Sequence, residues 1–286
     1  MRNLCKHVAR VLIVLALGGF LAATLARLAP GFDADEEELD SRLNQESMQA
    51  LRQSHALKGS LAEFYVGYLG RLLHGDLGTS QTLHQPVRQL LAERLPETLK
   101  SVGLGLLLGW TSGLALAMMA VMSRTGAADL AASLVASLLL CIPDAVLALL
   151  FVIARAPGRL VIGLIVFPTI FNYARNLLAR SASLPHVLTA RAKGLGGVRV
   201  LFWHILPVAA PQLLAVAGIS VSIAFAAAIP VEVLCDLPGV GQLAWKAAMG
   251  RDLELLVNLT MIVTLVTVLA NSAADLLAHP LRAGEA

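Results

Sequence analysis

From Ser101 to Ser123 the chain runs for 23 residues without a charged side chain. At about 1.5 Å per helical residue such a stretch crosses a hydrocarbon layer of about 30 Å. Comparable low-charge stretches lie at Val8–Leu28, Leu130–Ile153, Leu160–Ala174, Ile205–Val231 and Leu255–Leu277. Apolar residues make up 57% of the 286 positions and charged residues 14%, against about 25% charged in soluble domains. That balance excludes an ordinary soluble enzyme, a disordered chain, a collagen-like repeat and a disulfide scaffold. The expected fold class is an all-α polytopic membrane protein with six transmembrane helices. A long outside segment would separate the first two, and a cytoplasmic loop the fourth and fifth.

The six spans are not alike. The uncharged centre of the first, Val11 to Ala26, is slightly short, and Arg10 and Arg27 complete it by snorkelling to the headgroups. The same stretch also fits a cleaved signal peptide, with basic Met1–Arg10 and a site near Thr24-Leu25-Ala26. Cleavage would leave the sidedness of everything downstream unchanged. The third span is interrupted only by Asp144. A five-residue turn, Arg155 to Arg159, leads to the fourth, whose fifteen uncharged residues must borrow Arg175–Leu178 as a helical extension. The fifth contains Pro207, Pro211 and Pro230, tolerated where neighbouring groups satisfy the freed carbonyls.

Orientation follows from the cations near span ends. With the N-terminus inside, short loops place ten Lys or Arg inside and four outside, the bias expected of cytoplasmic loops. The stretch Arg27–Lys100 holds eight more but is too long to count. Both termini are therefore expected in the cytoplasm. Residues 1–28 form a tail and first span, 29–98 an outside segment, and 99–286 a five-span core with its loop near 183–204. Cys5, Cys141 and Cys235 are isolated and read as small apolar fillers.

The outside segment has its own pattern. Leu61, Phe64, Tyr65, Tyr68, Leu69 and Leu72 recur at helical spacing after a Ser60–Glu63 capping box. The glycine-bracketed turn Gly75-Asp76-Leu77-Gly78-Thr79-Ser80 ends that helix. Val87, Leu90 and Leu91 mark a second short helix, stopped at Pro96. Both are expected to lie on the outer membrane face or cap the bundle.

The cytoplasmic loop from Arg175 to Pro207 is the most informative segment. Seven Arg or Lys and no acid occur between Ala145 and Val231. Ser183 can N-cap a helix with Pro185 in its first turn. Gly194 is placed to end that helix in a left-handed C-cap, with Arg191 and Lys193 in the last turn, where the dipole favours cations. A second helix starts near Gly197 and continues into the fifth span. Ala190, Ala192 and Gly194 would let a partner approach closely. On these residues alone, the partner is either a protein or anionic membrane lipid.

The run Thr189-Ala190-Arg191-Ala192-Lys193-Gly194-Leu195, followed by His204 and by Leu206-Pro207, resembles the coupling-loop signature of ABC-importer permeases. It is most similar to the dipeptide/oligopeptide/nickel permease family. Gly75-Asp76-Leu77-Gly78-Thr79-Ser80, Pro86-Val87 and Arg94–Leu99 resemble the family's stretch before the second span. Leu237-Pro238-Gly239-Val240-Gly241 and Arg251-Asp252 resemble its outer loop, Glu232 an acid just ahead of it, and Asn271, Asp275-Leu276 and Pro280 its last span. The chain departs in carrying Pro185-His186 where the family has an Asp-Tyr pair, in its short turn after the third span, and in His279.

The resemblance implies a permease subunit of a binding-protein-dependent ABC importer in a bacterial inner membrane, carrying short peptides, nickel or other small solutes. Its partners would be cytoplasmic ABC ATPases, a second permease (identical or related), an extracytoplasmic substrate-binding protein and membrane lipid; nucleic acid is not among them. Residues 189–195 would couple to the ATPase. Gly75, Asp76, Gly78, Pro238, Gly239 and Gly241 would shape the outer loops. No phosphate-loop pattern occurs, so ATP hydrolysis belongs to another chain, and no cofactor, metal or catalytic residue is expected. An acid at membrane depth must face a cavity, a partner or the interface. Asp144 is therefore a pathway candidate, to which the resemblance adds Glu232, and Asp275 is expected to have a packing or interfacial role. The alternatives are an ion-driven secondary transporter, which would repeat its broken helices in two halves, and a non-transporting membrane scaffold.

Overall fold

The computed structural model describes residues 13–14, 17–21, 24, 67–72, 74–123 and 126–283. Among them regular structure is helical, apart from an isolated antiparallel bridge between Thr79 and Pro86. The named helices are α1 (Val87–Met122), α2 (Ala127–Cys141), α3 (Asp144–Ile153), α4 (Arg159–Ala182), α5 (Pro185–Ala192), α6 (Gly197–Val200), α7 (Leu206–Leu234), α8 (Val240–Met249) and α9 (Leu253–Ala283). A π-helical turn, Leu201–Ile205, joins α6 to α7.

Four helical stretches are long and apolar enough to cross a membrane: Val87–Met122, Arg159–Ala182, Gly197–Leu234 and Leu253–Ala278. A bent pair, Asp129–Cys141 with Asp144–Ile153, makes a fifth if counted as one span. The expected first span falls largely outside the described residues, as do the Ser60–Glu63 box and Leu61–Tyr65. The fourth span does continue through Arg175 as one helix, and Arg175 is held there by a two-pronged ion pair with Asp129.

Two expectations are overturned. The helix begun at Val87 does not stop at Pro96 but runs on for 36 residues to Met122. A proline deprives only one upstream carbonyl of its donor. The third span is not straight: α2 and α3 meet at 98°. Pro143 forces Ile142 into an extended conformation (ψ 122°), which ends α2, and Asp144 restarts the helix. Asp144 thus sits in a first turn rather than mid-span.

The chain divides into two compact units, one of Met1–Arg94 with Leu243–Leu265, the other of Leu95–Gln242 with Val266–Ala286. In the second, α1 and α4 approach through glycines spaced four apart. A Cβ on Gly105 would lie 2.6 Å from Ile162 Cγ2, and one on Gly113 3.0 Å from Ile170 Cγ2. Small residues at this spacing let two backbones close on each other inside a membrane, where water supplies no driving force. Around Phe167 and Phe171, stacked at 6.0 Å, gather Ala132, Val187, Leu201 and Ile205. Leu130, Leu134 and Leu138 on α2 and Ile153 on α3 point outward, as apolar groups do when the surrounding solvent is lipid.

Candidate functional site

The loop between α4 and α7 folds from its punctuation. Pro185 occupies the first turn of α5 and holds Leu184 extended (ψ 146°), so Leu184 takes the N-cap position. This corrects the expectation for Ser183, which instead closes α4 with its hydroxyl donating to the Arg180 carbonyl at 2.8 Å. Gly194 has φ +79°. Its N–H reaches the Arg191 carbonyl at 2.9 Å, and the Leu195 N–H reaches that of Ala190 at 3.3 Å. The two bonds close the last turn of α5 in the left-handed arrangement that favours glycine.

Helix α5 has two faces. Val187 and Ala190 are buried among Leu178, Val200, Leu201 and Ile205. Leu188, Thr189, Arg191 and Ala192 are exposed, as are Lys193 and Gly194 beyond the helix end. Ala190 therefore packs inward rather than facing a partner, and Leu195 is half-buried. A helix begins at Gly197 as expected, but its second turn widens: Leu206 N–H bonds to the Leu201 carbonyl five residues back. Pro207 has no amide hydrogen to offer Trp203, and the ladder loosens one turn ahead of it. The proline in the sequence was the available signal for this turn. An open hollow of about 710 Å³ lies beside it, lined by Gly196, Gly197, Val198, Arg199, Phe202 and Trp203.

In the unit built from Leu95–Gln242, Glu232 is fully buried at the end of α7. Its carboxylate accepts the Thr98 hydroxyl at 2.7 Å and the Gly241 N–H at 2.6 Å. Thr98 in turn accepts the Val240 N–H at 2.7 Å. A Cβ on Gly239 would lie 2.2 Å from the Glu232 carboxyl carbon, and one on Gly241 2.9 Å from its Oε2. The glycines of the Pro238-Gly239-Val240-Gly241 run thus make room for an acid, which caps the N-terminus of α8, where the helix dipole favours negative charge. Pro238 itself is exposed. Glu232 spends its oxygens within this cap, whereas Asp144 stands half-buried in the first turn of α3.

In the other unit the Gly75–Ser80 turn wraps the start of α9. Gly75 and Gly78 take φ +77° and +74°. Asp76 accepts the Gly78 N–H at 2.9 Å. Asp252, fully buried, accepts the Ser80 hydroxyl, the Thr82 N–H and the Leu255 N–H, the last at 3.0 Å, and so N-caps α9. Glu254 takes Arg71 and the Thr79 N–H, while Asn258 accepts the Tyr68 hydroxyl at 2.9 Å and donates to the Leu77 carbonyl at 3.0 Å. The hydrogen bond to Glu254 holds the Arg71 guanidinium above its usual basicity.

Residues 105–282 match the family described as binding-protein-dependent transport system inner membrane component. A Brucella ovis protein named as a peptide permease is 27% identical, with 96% of each chain covered. The di/tripeptide transport system permease protein DppB of Pseudomonas aeruginosa is 25% identical over 90% of each chain. A Sinorhizobium fredii protein named as a peptide ABC transporter permease is 24% identical over 95% of each. With more than half its length matched across the helices that carry α5, Glu232 and Asp252, this chain belongs to the inner-membrane components of binding-protein-dependent transport systems.

Proposed function

We propose that the chain forms one half of the transmembrane pathway of an ABC importer for short peptides, energised by separate ATPase subunits. The family and the named peptide permeases, aligned over 90% or more of both chains, support the solute class. In this reading α5 is the coupling helix: its outward face offers Thr189, Arg191 and Ala192 to a cytoplasmic ATPase, with Lys193 and Gly194 just beyond. Its inward face, through Val187 and Ala190, shares one core with the start of the fifth span. That shared core is the observation that carries the reading, because a helix packed this way can pass a displacement into the bundle. ATP-driven closure of two ATPases would shift α5 and alternate the spans between inward-open and outward-open states.

The remaining organisation follows the same proposal. Residues 1–28 supply a first span, 29–98 an outside segment and 99–286 a core that brings the count to six, with both termini in the cytoplasm. A second permease completes the pathway. A binding protein approaches exposed Gly75, Asp76 and Pro238, while Gly78, Gly239 and Gly241 shape the loops from within. Asp144 lines the route taken by solute.

Two measurements test this. Single cysteines at Gln81 and Gly196, in a background lacking Cys5, Cys141 and Cys235, should label from opposite faces of intact cells. Labelling of both from outside would refute the orientation. Gly194→Pro should leave membrane insertion intact and uncouple ATP hydrolysis from tripeptide uptake in proteoliposomes, since proline excludes the left-handed conformation. Wild-type uptake would refute the coupling role.

A further inference from the structure

Helix α5 and the π turn are joined by more than apolar packing. The His186 ring approaches the His204 backbone carbonyl with Nε2 at 3.2 Å. A carbonyl oxygen only accepts, so the imidazole carries its proton on Nε2 and donates. His204 lies inside the five-residue π turn, and its own Nδ1 is buried with no hydrogen-bond partner among the described residues. A buried polar atom without a partner marks a conformation held in place by its surroundings.

We propose that His186 is a positioning residue: it latches the coupling helix to the π turn so that a displacement of α5 enters the fifth span at Leu201–Ile205. The proposal rests on α5 being the ATPase-docking helix. Apolar contacts such as Val187 against Leu201 and Ile205 are non-directional and allow one helix to slide over another. The His186 bond is directional and grips the backbone, so α5 pulls the turn rather than slipping past it. The π turn is the element able to yield. It carries one residue more per hydrogen-bonded ring than an α turn, and reverting to α spacing would rotate the helix on one side of it. The unpartnered Nδ1 of His204 gives that turn a reason to rearrange.

The test uses the complete importer in nanodiscs of phosphatidylethanolamine and phosphatidylglycerol, with its ATPases and binding protein. ATPase retention on affinity capture and stimulation of ATP hydrolysis by the binding protein are both measured. His186→Phe should retain the ATPases but lose about fivefold of the stimulation, the low end of a typical coupling between sites. His186→Gln, whose amide reaches the same carbonyl, should recover to within about twofold of wild type. The latch is overturned by full stimulation in His186→Phe, by His186→Gln failing as badly as His186→Phe, or by His186→Phe shedding the ATPases. Arg191→Glu separates the latch from the reading beneath it. If Arg191→Glu sheds the ATPases and His186→Phe keeps its stimulation, the latch alone falls. If Arg191→Glu retains them at wild-type level, the docking role of α5 falls.

Discussion

Thr98→Val is the sharpest test of the cap around Glu232. The substitution keeps the shape of the side chain and removes its hydroxyl, which donates to Glu232 and accepts from Val240, each at 2.7 Å. Thr98, Glu232 and Val240 are all buried, so water cannot replace either bond. A hydrogen bond to a charged acceptor contributes about 1.5–3 kcal/mol, and a buried N–H left without a partner costs about 1–3 kcal/mol. Glu232 retains the Gly241 N–H at 2.6 Å, so the loss falls short of the sum. A destabilisation of about 3 kcal/mol is expected, at the upper edge of ordinary single substitutions. Thr98→Ser is the control: it keeps the hydroxyl and gives up one methyl group, about 1 kcal/mol.

The assay is thermal loss of the monodisperse peak in detergent, run on wild type and both variants. For a chain of this size each kcal/mol moves the midpoint by about 2–4 °C. Thr98→Val should therefore fall by about 6–12 °C and Thr98→Ser by about 2–4 °C. Equal midpoints for the two variants would refute the cap, because they differ chiefly in the hydroxyl. Combining Thr98→Val with Glu232→Gln should cost less than the two single changes added, as expected for groups in one network.

Two further substitutions separate close approach and capping from generic helix effects. Gly105→Ala puts a Cβ 2.6 Å from the branched Ile162 side chain and should cost about 1–3 kcal/mol, whereas Gly109→Ala, whose nearest neighbour is 3.4 Å away, should stay within about 0.5 kcal/mol by the same melting assay. Asp252→Ala removes the N-cap of α9 and strands the Ser80 hydroxyl, so it should cost at least the roughly 0.5–2 kcal/mol of a lost cap; Asp252→Asn, which keeps one acceptor oxygen, should recover part of it.

What was legible in the sequence was local or periodic. Gly194 as a left-handed terminator, Pro185 in a first turn and the helix starting at Gly197 each follow from neighbours within a few residues, and each is found. Ser183 does not cap α5 because the rule that favours serine at an N-cap competes with the stronger restriction that Pro185 imposes on Leu184. Helix α8 is signalled only by Val240, Leu243 and Ala247, all buried, which recur at helical spacing. The pairings that explain the glycine-bearing motifs were beyond reach. Thr98 and Glu232 lie 134 positions apart, and Ser80 and Asp252 lie 172 apart. No local pattern joins them. The sequence displayed the glycines at 78, 239 and 241 without the carboxylates that make glycine necessary there.

The prolines show why this chain cannot be read by a single rule. Pro96, Pro143 and Pro207 each withhold one amide hydrogen, yet the helix continues at the first, breaks at the second and widens at the third. The outcome turns on what the chain does with the carbonyl four residues upstream and with the residue before the ring. At Pro143 the Leu139 carbonyl is taken by the Ile142 N–H at 3.3 Å, which closes α2 and leaves Ile142 free to extend. At Pro207 the neighbouring Leu206 stays helical (φ −61°, ψ −42°) and its N–H reaches back to Leu201, so the direction of the helix survives while its turn loosens. A break reorients the chain once, at folding, and then behaves as a fixed corner. A widened turn keeps its helix continuous and retains a second, tighter spacing that it can adopt. The proline between α2 and α3 is therefore suited to shape, and the one beside His204, where α5 is bonded to the backbone, is suited to movement.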